Sequence, residues 1–244
     1  MWLGYLLIFI FPVSFALGAV VTVPKAKYSP LFRDPGEEDS NVGPLKVDVT
    51  PVTNRQFLDF LKSNPRFLRS RLAPLYADRG YLSHWTGDTS FAPGHGDFPV
   101  TNVSWFMARK YCEYQGQRLP TIAEWEVASD AQNPAVEKSI LEWYAHPNSA
   151  LRAVQSEPPN RYGIKGAHML IWEWVENYSE AILSGDSRGG SSTESRYCGG
   201  AALKAKDPTR YAAFMRFAFR GSLTAKYTSK NLGFRCVQDI GRSK

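Results

Sequence analysis

The run Arg118-Leu119-Pro120-Thr121-Ile122-Ala123-Glu124-Trp125-Glu126 decides how the rest of the chain is read. Pro120 turns the chain, and Thr121 followed three residues on by Glu124 makes a reciprocal capping box. That box predicts a helix through Trp125 and Ala128. Upstream, Ser104 caps a helix over 105–115 whose Phe106, Ala108, Tyr111 and Cys112 share a face, and Gly116 stops it. The short connection predicts that these two helices pack together. Farther back, Lys46-Val47-Asp48-Val49-Thr50 alternates as a strand does. Thr53 or Asn54 then caps a short amphipathic helix over 56–61, marked by Phe57, Phe60 and Leu61. Residues 66–100 carry aromatic side chains without a period and read as loop. Downstream, Trp172-Glu173-Trp174 is a dense aromatic cluster, and 214–219 and 233–237 read as the last strands.

With 43% apolar and 21% charged positions in 244 residues, the chain can bury the core of one ordinary globular domain. Seven Trp, 12 Tyr and 14 Phe beside 19 Gly and 16 Pro imply a loop-rich fold pinned by aromatic rings, which excludes coiled coils and solenoids. The first charged side chain is Lys25, and the neutral run before it is most apolar over residues 2–17. Ser14-Phe15-Ala16 and Ala16-Leu17-Gly18 put small residues three and one before a cut, so 1–18 reads as a secretory signal peptide, with an uncleaved anchor as the alternative. No Cys follows it to carry a lipid. Residues 19–44 read as an extended lead-in, and the domain proper spans 45–240. Export places the protein in the periplasm or another extracytoplasmic space and sets nucleic acid aside as a partner.

The net charge of +6 is unevenly placed: from Arg196 to Lys244 there are eleven Lys or Arg against Asp207 and Asp239, so that section carries +9 and the remainder −3. Such a surface suits an acidic protein or a phospholipid headgroup, and equally a solvated basic face. Cys112, Cys198 and Cys236 allow three pairings with one thiol left over. His84, His95, His146 and His168 are scattered, and none has the i, i+4 spacing of a helical metal pair. Glu124 and Glu126 point to different faces of their helix, so they do not form an acid–base pair, and capping accounts for Glu124. The Gly-rich stretch over 184–200 lacks the Lys-Ser/Thr ending of a phosphate-binding loop. Asn102-Val103-Ser104 and Asn177-Tyr178-Ser179 match the glycosylation sequon.

Five motifs stand in order: Val49-Thr50-Pro51-Val52-Thr53-Asn54-Arg55-Gln56-Phe57, Pro99-Val100-Thr101-Asn102-Val103-Ser104-Trp105, the Arg118–Glu126 run, Trp172-Glu173-Trp174, and Asn231-Leu232-Gly233-Phe234-Arg235. In this order they resemble the formylglycine-generating enzyme, or sulfatase-modifying factor, family. The resemblance covers about residues 45 to 238 and implies that family's α+β fold, related to C-type lectins, with little regular secondary structure. It implies a Cys112–Cys236 disulfide, which leaves Cys198 free and stabilises by about 4 kcal/mol on the chain-entropy estimate. It also locates the family's two copper-binding cysteines: the second falls at Ala212 and the first near Asp207 or Leu203. Neither is Cys, and Cu(I) needs soft thiolate ligands, so copper and formylglycine generation are not expected. The family's structural calcium reduces to one site at most, because Met169-Leu170 replaces its Gly-Asn and Glu173 is the ligand that remains.

Two classes of function follow from the resemblance. The first is a non-catalytic, exported binding or regulatory module that meets an envelope protein, either a receptor-kinase ectodomain or an outer-membrane lipoprotein. The periplasmic accessory protein that promotes type VI secretion through transmembrane threonine phosphorylation is of this kind, and membrane association would come only through a partner or an uncleaved anchor. The second is a periplasmic oxidoreductase or maturation enzyme of altered chemistry, like relatives in pyoverdine maturation or beside copper nitrite reductase. The polar cluster at the lost copper site is Lys204, Lys206, Asp207, Arg210, Tyr211 and Arg216. Its basic and aromatic members Lys204, Lys206, Arg210, Tyr211 and Arg216 suit docking of an acidic segment. Charge reversal at Arg210 and Arg216 is expected to weaken such binding without unfolding the domain. Trp105, Trp125, Trp172 and Trp174 are expected in the core.

Overall fold

Strand β1 (Val20–Val23) pairs antiparallel with β4 (Leu45–Asp48), and β4 pairs with β7 (Val237–Asp239), so the first and last described strands share one sheet in the order β1-β4-β7. The register sets Val23 opposite Leu45 and Val47 opposite Val237, and all four are buried. The structure is a computed structural model and describes residues 18–31, 38–146, 150–179 and 210–241. Between β1 and β4 the chain makes an antiparallel ribbon from β2 (Ala26–Tyr28) and β3 (Ser40–Val42). The stretch 19–44, read above as an extended lead-in, is part of the fold. It supplies three strands, and the fold begins well before residue 45. A parallel pair, β5 (Trp172–Glu173) and β6 (Leu232–Gly233), ties the aromatic cluster to the Asn-Leu-Gly-Phe-Arg motif.

Helix starts obey the caps written in the sequence. Thr53 heads α1 (Asn54–Ser63) with a box in which Gln56 N donates to Thr53 Oγ1 at 3.3 Å and Thr53 N donates to Gln56 Oε1 at 2.9 Å. Ser104 caps α2 (Trp105–Tyr114), and Gly116 ends that turn at φ 72°, where a Cβ is disfavoured. Thr121 and Glu124 form the expected box on α3 (Ile122–Ala128). Glu124 also receives Arg118 bidentately at 2.6 Å, and Arg118 reaches Asp239 of β7. Helix α4 (Pro134–Tyr144) follows an Asn133 cap with Pro at its first position, where its fixed φ suits a helix start.

Packing departs from expectation in two places. Helices α2 and α3 do not form a hairpin: α2 lies on α1 through Tyr111 against Phe57 and Phe60, while α3 lies on β2 and β3. Residues 214–219 are not a strand. They belong to α5 (Tyr211–Gly221), whose buried positions recur every four residues, and the Phe214-Met215-Arg216-Phe217-Ala218-Phe219 alternation only imitated a strand period. The two largest apolar clusters lie around α1, α2 and Trp174 and between the three-stranded sheet and α3. Trp125 and Trp174 are buried, whereas Trp105 and Trp172 are half-buried at the core edge. Among the described residues no helix is long and apolar enough to cross a membrane.

The bridge forms between Cys112 of α2 and Cys236, with Cα atoms 5.6 Å apart across 124 residues of sequence. Beside it Asp48 is buried, accepting Cys236 N at 3.2 Å and Gln117 Nε2 at 3.0 Å. Burial raises its carboxyl to about 6, outweighing those hydrogen bonds. Asn102 is buried at φ 52° with its amide nitrogen donating to Ser83 Oγ at 3.0 Å, so that sequon has no room for a glycan.

Two outcomes are expected. A C112S/C236S double variant loses about 4 kcal/mol in denaturant unfolding. Because the folded Asp48 binds its proton before the unfolded one does, its contribution is full below about pH 4 and disappears as pH rises through 6. Asp48→Asn therefore shows a flatter stability profile than the parent between those limits.

Candidate functional site

Helix α5 turns its charge inward. Ala212, Arg216 and Arg220 are its buried positions, so a methyl group and two guanidiniums face the domain. Arg216 Nε and Nη2 donate to Glu126 Oε1 and Oε2 at 2.8 and 2.7 Å, and Arg220 Nη1 donates to Oε1 at 2.8 Å. Burial alone would raise the Glu126 carboxyl, but the two guanidiniums outweigh it and hold it at about 2. Arg220 also lies over the Trp125 ring at 5.0 Å, and Trp125 Nε1 donates to Glu173 Oε2 at 2.7 Å. Glu173 in turn accepts Arg235 Nε and Nη2 at 2.8 and 2.7 Å. Arg235 spends its other donors on the carbonyls of Asp48, Val49 and Lys165. A buried relay of two Glu–Arg sites joined by one indole thus runs from α5 to the end of β4.

The relay is buried and lined with rings. His168 stands edge-on to Trp125 at 5.1 Å and donates from Nε2 to the Ser129 carbonyl at 3.1 Å. Burial, then the Arg216 charge, push it down to about 3, so the imidazole is neutral. Tyr28 is raised to about 12 by burial and by Glu126. Outside the relay Trp172 stacks on Tyr144 at 4.7 Å and on Phe219 at 4.2 Å, with Trp143 tilted against it at 5.6 Å. These four half-buried rings form a wall spanning α4, β5 and α5.

The basic cluster expected from sequence is divided by the fold. Lys204, Lys206 and Cys198 lie outside the described residues. Arg210, half-buried, donates to the Ser29 carbonyl at 3.4 Å, and Tyr211 is exposed beside Phe214. Arg216 is no surface residue: at 1% exposure, paired with Glu126, it cannot dock a partner, and reversing its charge would set two carboxylates against each other in the core. Glu173 is likewise no calcium ligand, since both its oxygens are taken by Arg235 and Trp125. Glu126, set aside in the sequence as a poor acid–base partner of Glu124, is the anion on which α5 rests. The four-residue spacing of Ala212, Arg216 and Arg220 was the signal that could have found it.

Among the described residues no thiolate faces position 212 to hold copper. Ala212 offers a methyl group, its N–H donates to Glu137 Oε1 at 3.4 Å, and Cys112 and Cys236 are tied in the disulfide. Among the described residues no group of three or more His, Cys, Asp or Glu side chains is placed to hold a metal ion.

Removing one partner of the buried pair is expected to cost roughly 3–5 kcal/mol, so Glu126→Gln and Arg216→Glu lower the thermal midpoint sharply. Arg210→Glu, at the surface, changes stability by less than about 1 kcal/mol. Differential scanning of the three variants checks the ranking.

Residues 8–240 match the Sulfatase-modifying factor enzyme 1-like domain. The formylglycine-generating enzyme of Streptomyces coelicolor is 28% identical over 80% of this chain and 78% of its own length. The inactive C-alpha-formylglycine-generating enzyme 2 of Bos taurus is 27% identical over 88% of this chain and 84% of its own. The serine/threonine-protein kinase pkn1 of Chlamydia pneumoniae is 32% identical over 54% of this chain, which spans only 22% of that kinase's length. The crystal structure of CarF superimposes with a TM-score of 0.50 at 18% identity, covering 92% of this chain and 99% of that one. A domain match over nearly the whole chain, on an α+β scaffold whose motifs sit at its caps and buried ion pairs, makes this protein a member of the sulfatase-modifying factor family, with the formylglycine-generating-enzyme fold.

Proposed function

We propose that this member of the family is a non-catalytic protein-binding and regulatory module of an extracytoplasmic space, reached by the apolar segment over 1–18. The observation that carries the reading is Ala212: where the resemblance places a copper thiolate there is a buried methyl group, and the two described cysteines are committed to the core bridge. The described residues around it form an intact scaffold, with capping boxes, disulfide and both Glu–Arg sites. Relatives named as inactive support loss of chemistry with retention of fold. The partial match to a protein named as a serine/threonine kinase supports a tie to phosphorylation signalling. The specific role proposed is promotion of type VI secretion through a transmembrane threonine-phosphorylation pathway, with an envelope protein as the bound partner. Arg210 and Tyr211 at the start of α5 are the described residues of the basic cluster left at the surface to meet it.

In-cell crosslinking followed by affinity capture and mass spectrometry tests this. A stoichiometric envelope protein is expected, at least ten-fold depleted by R210E/Y211A while the thermal midpoint stays within about 2 °C of the parent. Recovery of the chain alone, or equal capture by that variant, counts against the module.

A further inference from the structure

A second face of the domain, away from α5's inward charges, carries apolar side chains held open by hydrogen bonds. Leu75 is 68% exposed, the highest among the exposed large apolar side chains, and Tyr76 and Tyr227 are 39% and 42% exposed. Exposure of this kind is ordinary at a loose loop tip, but here both loops are pinned. The Tyr76 carbonyl accepts Ser104 Oγ at 2.6 Å, and the Tyr76 ring stands edge-on to Phe106 of α2 at 5.8 Å. Asp78 N donates to the Lys226 carbonyl at 2.9 Å, and the Asp78 carboxylate accepts Thr228 N at 3.0 Å, Gly80 N at 2.9 Å and the Thr228 hydroxyl. The loop that carries Leu75 and the loop that carries Tyr227 are thereby laced into one rigid surface. Such a surface binds at low entropic cost, because the backbone that presents it is already ordered.

The rim settles what such a surface would take. Arg79, next to Asp78, and Lys226, whose carbonyl accepts the lacing hydrogen bond, have exposed side chains and make no ion pair among the described residues. Asp78, the acidic residue between them, is held by its three donors. We infer that this face docks an acidic segment of a partner protein: an aromatic or leucine anchor seats on Leu75, Tyr76 and Tyr227, and flanking carboxylates meet Arg79 and Lys226. An anionic bilayer fits less well, because two cations fall short of the larger basic clusters that hold anionic headgroups. The inference rests on the binding-module reading and adds to it a second surface and the chemistry of what it holds.

The test is selection of a random dodecapeptide display library on the folded chain. Enriched peptides are expected to carry an aromatic or Leu anchor flanked by Asp or Glu. Their affinity should fall at least ten-fold in L75D and in R79E/K226E, whose thermal midpoints, checked alongside, stay near that of the parent. R210E/Y211A should bind them unchanged. No enriched acidic peptide, or peptides that bind L75D and R79E/K226E as well as the parent, overturns the inference. Peptides lost only in R210E/Y211A overturn it while leaving the module reading intact. Leu75-dependent sedimentation with phosphatidylglycerol vesicles in place of peptide binding makes the face a lipid surface. A dimer dissolved by L75D makes it a self-contact. Both results reject an acidic partner.

Discussion

Buried carboxylate–guanidinium contact is the constraint around which this domain is arranged. Glu126 and Glu173 are almost fully removed from water, and each is matched by planar, bidentate arginine donors. An unpaired charge at such depth would be far costlier than a lost apolar contact, so the elements that carry the arginines have little choice of position. Helix α5 must present Arg216 and Arg220 to α3, and the residue before Cys236 must present Arg235 to β5. Trp125 joins the two sites, with its face under Arg220 and its N–H on Glu173. Specific orientation is thereby imposed on a chain that has little regular secondary structure to impose it.

Apolar packing and the disulfide complete what the ion pairs orient. Cys236 joins α2 next to Arg235, so one short segment ties the bridge, the buried relay and the three-stranded sheet together. Gly233 belongs to the same segment, and a Cβ there would lie 2.3 Å from the Val100 carbonyl. Only glycine lets β6 approach that backbone, which gives the Asn-Leu-Gly-Phe-Arg motif a structural reason independent of chemistry. The motifs thus have folding reasons that do not depend on catalysis. Ala212 contributes a small side chain at the top of a helix whose anchoring falls one and two turns later.

Local rules made much of the fold legible. Thr53, Ser104 and Thr121 each begin a helix because a cap needs only its own side chain and the next three residues. The Cys112–Cys236 bridge and the family were legible through ordered motifs. Residues 214–219 were misread because aromatic alternation and a helical face overlap in so short a window, and burial by Glu126, 90 residues away in sequence, decided between them. The edge strand β1 escaped notice because Val20–Val23 is too short to show a period apart from β4.

What the sequence determined by itself was therefore local or categorical: the helix starts, the family, the absence of a thiol at position 212, and the basic bias of the last quarter. Tertiary structure decided which of those charges are available. Arg210, Arg216 and Arg220 look alike in the sequence, yet only the first lies at the surface, and the other two spend their charge on one buried carboxylate. Likewise Glu173 reads as a ligand in its motif and is an anion for Arg235 in the fold. A side chain's charge is fixed by its chemistry, but its solvent exposure and its partner depend on residues brought beside it only when distant segments pack.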